Sequence, residues 1–136
     1  MNRSGAAVQA LLAEGWVAPE ILVVCDDVYL PLGTIRIRAR GGTGGHQGLE
    51  SILEATGSEE FPRLRIGVGP APPSEDLAEY VLSPFSEEER SGLPRVIEAA
   101  AEGAFDAAAE GLTQAMNRWN RFGRESTEER GDDETL

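Results

Sequence analysis

Three sets of residues in this chain have types and spacings that can support chemistry. The only histidine, His46, lies in Gly41-Gly42-Thr43-Gly44-Gly45-His46-Gln47-Gly48, a stretch that holds five of the sixteen glycines. Histidine's ordinary pKa is near neutrality, which suits it to general acid–base work. Asp26 and Asp27 close the apolar run Ile21-Leu22-Val23-Val24-Cys25. Acids at the end of a buried strand stand where open α/β sheets place functional groups, and His46 is the one base this chain offers them. Arg36, Arg38, Arg63 and Arg65 alternate with other residues in two segments. They are either an ordinary solvated sheet face or a strip that meets phosphate. The competing reading of His46 is equally plain, because a lone loop histidine is more often a hydrogen-bonded structural residue than a catalyst.

The glycine stretch costs much backbone entropy, so it must turn sharply or admit another molecule close to its backbone. Its spacing fits neither common phosphate cradle. The chain has no lysine for a G-x-x-x-x-G-K-[ST] loop, and Gln47 stands where G-x-G-x-x-G starting at Gly42 needs its last glycine. A nest of N–H groups at the helix start near Leu49 remains as a way to hold a phosphate or carboxylate. One histidine and one cysteine supply too few nitrogen and sulfur ligands for a metal site, and no cofactor is expected.

The elements that must position these groups can be read from periodicity. Ser4 is placed to cap a helix with Ala7, Val8, Leu11 and Leu12 on one side, ending near Gly15. Glu20 to Asp26 reads as a buried strand, and Pro31-Leu32-Gly33 turns the chain. Thr34 to Arg38 alternates with period two, so Ile35 and Ile37 face the core and the arginines face away. Leu49, Ile52 and Leu53 recur at helical spacing up to Gly57, and Arg63 to Gly69 alternates again as a third strand. Pro70 to Pro73 is a bend and Asp76 to Leu82 a short helical turn. Ser86-Glu87-Glu88-Glu89 matches a capping box. It opens a long helix with Val96, Ile97, Ala100, Ala104, Phe105, Ala108 and Leu112 as the expected buried stripe and Pro94 early in it. The expected fold class is α/β, a three-layer domain with a sheet flanked by helices. The first strand is apolar on both faces and wants neighbours on both sides, so a strand on the N-terminal side is expected to be lacking.

The charge pattern narrows the partners. The net charge of −12 argues against a general affinity for nucleic acid. Yet Gly33 to Leu49 carries three arginines and no acid, whereas Ser74 to Glu110 carries ten acids against two arginines. A local anion site beside the glycine stretch therefore survives the global count. No apolar run approaches the roughly 20 residues a membrane helix needs. No basic-then-apolar leader opens the sequence, and Cys25 reads as a small buried hydrophobe in a reducing compartment, so a cytoplasmic location is expected. Residues 124–136 are charged, lack apolar periodicity, and are expected to form an acidic disordered tail behind a domain of residues 1–123.

Taken together, several segments closely resemble bacterial-type peptidyl-tRNA hydrolases. They are Met1-Asn2-Arg3-Ser4-Gly5, Ile21 to Asp27 leading to Leu30-Pro31-Leu32-Gly33, Gly41 to Leu49, Phe61 to Gly69, and Tyr80-Val81-Leu82-Ser83-Pro84-Phe85. Their order and spacing agree up to about residue 120. The resemblance implies a monomeric α/β domain with a mixed sheet, acting on the ester that joins a peptide to the 3′ ribose of tRNA, without metal, cofactor or membrane. In the family a histidine is the general base, and an aspartate, here Asp26, orients and stabilises it. Asn2 corresponds to a substrate-binding asparagine. His46 takes a supporting place, and Gln47 replaces a second substrate-binding asparagine. Arg36, Arg38 and Arg63 are the expected tRNA phosphate contacts. Family members begin with a strand, a G-L-G-N-P-G-like loop and a T-R-H-N-x-G-like segment carrying the base. This sequence starts after that point, so the expectation is an enzyme truncated at its N-terminus, doubtfully active as it stands. The alternative is a non-catalytic tRNA- or ribosome-associated binding module.

Overall fold

The structure, a computed structural model, describes residues 3–70 and 84–123. Asn2, the bend and turn expected over 71–83, and the tail 124–136 lie outside the described residues. The elements are α1 (Ser4–Ala13), a 3₁₀ turn (Ala18–Glu20), β1 (Val23–Pro31), β2 (Ile35–Arg38), α2 (Gln47–Thr56) and β3 (Arg63–Gly69). They continue with α3 (Glu87–Ser91), α4 (Leu93–Glu110) and α5 (Leu112–Trp119).

The three described strands form one sheet in the order β1-β3-β2. Val23 N–H donates to Pro62 O at 2.9 Å and Leu32 N–H to Gly69 O at 2.7 Å. Residue numbers rise together along this pair, so β1 and β3 are parallel. Gly67 N–H to Thr34 O at 2.9 Å and Gly41 N–H to Glu59 O at 3.4 Å run in opposing order, so β2 and β3 are antiparallel. The sheet is therefore mixed and flanked by helices, as expected. The turn after Pro31 forms where expected, but β3 lies between the strands it joins, so they make no hairpin. β1 is an end strand, with Val24 and Tyr29 exposed. It begins later than expected, because Pro19 holds Ala18–Glu20 in a 3₁₀ turn, and it runs on to Pro31 rather than ending at Asp26.

The chain divides into two compact units, Met1–Cys25 with Arg38–Leu64 and Asp26–Ile37 with Arg65–Leu136. In the first, Val8, Cys25, Leu49, Ile52 and Phe61 form the core. Helices α1 and α2 meet at Gly5, whose N–H donates to Ser51 Oγ at 2.9 Å. A Cβ at position 5 would collide with Ser51 O, so glycine is required by the close approach. Ser4 does not cap α1. It is the first helical residue, the cap position is Arg3 without a side-chain bond, and the Ser51 hydroxyl satisfies an amide of the first turn instead.

In the second unit the Ser86 capping box forms as expected. Ser86 Oγ accepts from Glu89 N at 3.1 Å and Glu89 Oε1 from Ser86 N at 2.7 Å. The helix it opens is short. Pro94 lacks an N–H and its ring clashes with a preceding turn, so α3 stops at Gly92 and α4 starts afresh with the proline in its first turn. The expected buried stripe is corrected as well. Val96, Ala99, Ala100 and Gly103 are buried, whereas Ile97 and Phe105 are 61% and 70% exposed and Ala108 is exposed. The buried face is thus rotated by about one residue towards the small side chains. No described helix is long and apolar enough to cross a membrane.

Candidate functional site

The glycine stretch belongs to the first unit and links β2 to α2. Gly41, Gly44 and Gly45 have φ of 152°, 59° and 83°, a region that other residues rarely adopt, so the glycines serve sharp turning. The loop is tied down from within. His46 N–H donates to Thr43 O at 3.0 Å, and the Thr43 hydroxyl donates to Glu50 Oε2 at 3.1 Å. His46 is the N-cap of α2, and its Nδ1 accepts from Leu49 N–H at 3.2 Å. This helix therefore begins with an imidazole doing the work usually given to serine or aspartate. An accepting Nδ1 assigns the proton of the neutral ring to Nε2. Nδ1 is then committed to the helix, and Nε2 is a donor. The geometry gives His46 a structural role as the cap of α2. Gln47 follows as the first residue of α2 and is exposed. The expected nest of N–H groups is partly used up, because Leu49 and Glu50 both donate to His46.

Arg63 is the largest departure from expectation. It is 0% exposed, and its guanidinium is spent on main-chain carbonyls. Nε and Nη2 donate to Phe61 O at 3.1 and 3.0 Å, Nη2 to Glu59 O at 3.1 Å, and Nη1 to Gly42 O at 3.0 Å. Its Cζ stands 4.2 Å from the centroid of the buried Phe61 ring. The expected phosphate contact at Arg63 is thereby corrected, since a guanidinium sealed in this way presents nothing to an outside anion. Sequence periodicity missed it because alternation reports faces and not their covering.

The two aspartates separate clearly. Asp27 is buried, accepts from Tyr29 N–H at 2.8 Å through Oδ1, and pairs through Oδ2 with Arg65 Nη1 at 3.2 Å. It is a structural carboxylate. Asp26, its neighbour, is half-buried on β1 and faces the other way along the pleat. On β2, Ile35 and Ile37 are buried at 1% and 0% exposure while Arg36 and Arg38 are half-buried, which matches the expected alternation. His46 and Gln47 are adjacent in one unit and Asp26 belongs to the other.

Further along the second unit, Asn120 acts as a surrogate strand on β2. Its Oδ1 accepts from Ile37 N–H at 2.6 Å and its Nδ2 donates to Ile37 O at 3.1 Å, which closes part of an open sheet edge. Asp106 accepts from Trp119 Nε1 at 2.8 Å and from Arg118 Nη1 at 2.9 Å, joining α4 to α5. The Trp119 hydrogen bond, then Arg118, hold the Asp106 carboxyl below its ordinary range against an opposing desolvation effect, and Arg118 is raised above its own by Asp106 and Glu110. Among the described residues no group of three or more His, Cys, Asp or Glu side chains is arranged to hold a metal ion.

The chain is similar to known proteins in sequence and fold. The family profile described as Peptidyl-tRNA hydrolase matches residues 1–129. A peptidyl-tRNA hydrolase of Chlorobium phaeobacteroides is 47% identical over 122 residues, covering 89% of this chain and 65% of that protein. One from Aquifex aeolicus is 48% identical over 122 residues, covering 89% and 64%. The crystal structure of peptidyl-tRNA hydrolase from Acinetobacter baumannii superposes with a TM-score of 0.77 at 33% identity, covering 90% of this chain and 62% of that one. The chain thus spans a little under two thirds of the length of these relatives. With a profile matched across nearly its whole length and a fold shared with a solved structure, this chain belongs to the peptidyl-tRNA hydrolase family.

Proposed function

We propose that this chain forms the substrate-holding part of an enzyme that hydrolyses the ester between a peptide and the 3′ ribose of tRNA. The observation that carries this reading is the loop ending in His46 and Gln47, held rigid at the start of α2 within a chain whose family match covers residues 1–129. In the reaction, water attacks the ester carbonyl, a general base takes its proton, and the ribose hydroxyl leaves. Asp26 orients the histidine that serves as base. Asn2 and Gln47 hydrogen-bond the substrate, and His46 supports them with a donor at Nε2. Arg36 and Arg38 meet tRNA phosphates. Residues 1–123 act as one α/β domain of a cytoplasmic monomer, with residues 124–136 as an appended acidic tail.

The test is hydrolysis of an N-acetyl-aminoacyl-tRNA by the 136-residue chain and by the same chain preceded by a T-R-H-N-x-G-containing front segment. The extended protein is expected to turn over and the shorter one to do so barely. Asp26→Asn in the extended protein is expected to slow cleavage about a hundredfold or more, the scale of a general-base contribution. Full-rate cleavage by the 136 residues alone, or an extended protein without activity, would overturn the reading.

A further inference from the structure

The structure assigns Arg63 a positioning role: its buried guanidinium clamps the mouth of the glycine loop and so sets where His46 and Gln47 are presented. The role in substrate binding rests on the function proposed above, whereas the clamp itself rests on geometry alone. A guanidinium carries five donors in a rigid fork, and here the fork bridges two separate stretches of chain. On one side it holds Gly42 O, inside the loop. On the other it holds Glu59 O and Phe61 O, the segment that leads into β3. Gly41 N–H reinforces the bridge by donating to Glu59 O at 3.4 Å. The Phe61 ring closes over the cation, and the bonds to Phe61 O are buried.

The need for such a clamp follows from the loop's composition. Gly41, Gly44 and Gly45 all hold positive φ, and glycine has more freedom to lose than any other residue. Without an anchor the stretch from Gly41 to Gly45 would sample many conformations, and α2 would begin from many places. The Thr43, Glu50 and His46 bonds fix the loop to its own helix, but each of them moves with that helix. Among the described contacts of the loop, the Arg63–Gly42 bond and the Gly41–Glu59 bond tie it to β3's approach. Burying an arginine is costly, and carbonyl oxygens at hydrogen-bond distance are the partners that make it tolerable. Lysine cannot substitute, because one ammonium lacks the guanidinium's fork of donors on separate nitrogens.

The experiment is NMR on the 136-residue chain, with binding measured to a non-hydrolysable amide analogue of an N-acetyl-aminoacyl-adenosine. In the wild-type chain, the Arg63 Nε–H and Nη–H protons are expected to be resolved and protected from exchange. A solvent-averaged guanidinium would overturn the clamp without any variant being made. In Arg63→Lys, amides 41–46 are expected to gain fast motion and the analogue to bind about tenfold more weakly, the scale of one lost charge-assisted bond. Gln47→Ala is expected to lose binding with the loop still ordered. An ordered loop or unchanged affinity in Arg63→Lys would overturn the proposal. If the wild-type chain does not bind the analogue while Arg63→Lys still loosens the loop, the substrate reading fails and the clamp stands.

Discussion

Arg63 and Arg65 lie two residues apart on the same strand, in the repeating pattern Arg63-Leu64-Arg65-Ile66, yet they are held in opposite ways. Arg63 is sealed from solvent and bonded to three carbonyl oxygens that carry no formal charge. The Arg65 side chain is 27% exposed and bonded to the buried carboxylate of Asp27. The first arrangement fixes a loop, since its acceptors belong to two stretches of backbone. The second fixes a strand, since Asp27 sits on β1 and also holds Tyr29 N–H. Two arginines that look alike in sequence therefore do different work. The difference comes from what the rest of the chain brings to each.

Removing each arrangement measures that difference. Arg63→Met leaves Gly42 O, Glu59 O and Phe61 O without their buried donor. Urea unfolding is expected to show a loss of about 3 kcal/mol, the upper end for a stranded buried acceptor, here Phe61 O. A loss under about 1 kcal/mol, the scale of one ordinary hydrogen bond, would show that water replaces the guanidinium easily. Asp27→Ala removes the acceptor of Tyr29 N–H and the carboxylate that Arg65 meets, and about 2 kcal/mol is expected by the same measurement. If Asp27→Ala proved costlier than Arg63→Met, the ranking of the two sites would be reversed.

His46→Ala removes the cap of α2, with an expected loss of about 1 kcal/mol. His46→Asn keeps an N-cap acceptor and is expected to restore most of that stability in thermal unfolding. Equal losses in the two variants would show that the imidazole stabilises by packing rather than by capping. The smallest effect is expected at Asp106, where the partner set lies on the surface side of α4 and α5. Its folded-state pKa is lowered from the ordinary 3.8, with the Trp119 hydrogen bond as the leading cause. A depressed carboxyl contributes stability above its unfolded pKa and loses it as pH falls through the lower folded value. Trp119 fluorescence, read in a Trp16→Phe background, is thus expected to change below about pH 4 and not above it. Asp106→Asn is expected to abolish that change.

Much of the fold was legible in local pattern. The alternation of Thr34 to Arg38 and Arg63 to Gly69 located β2 and β3, and apolar spacing with Gly57 bounded α2. The Ser86 box formed because its partners are three residues apart and need no help from the fold. The stripe of the alanine-rich helix was misread. Alanine lies on every face of α4, so the apolar pattern there is weak, and the tertiary neighbours chose the small residues Ala99, Ala100 and Gly103 over Ile97 and Phe105. Of the candidate site, His46 and Gln47 were visible as a motif, but the imidazole's use as a cap was not. The resemblance singled out Asp26, but the pairing of Asp27 with Arg65 could not be read from the residues alone.

By itself, then, the sequence determined the faces of β2, the helix of the glycine motif and the family, because these depend on spacing along the chain. Only the tertiary structure decided which charges are buried and what they hold. Gly42 and Arg63 are 21 residues apart, Asp27 and Arg65 are 38, Gly5 and Ser51 are 46, and Ile37 and Asn120 are 83. Periodicity carries no information about partners at such separations. Hydrogen-bond satisfaction in a buried site does, because every sealed donor must find its acceptor wherever in the chain it lies.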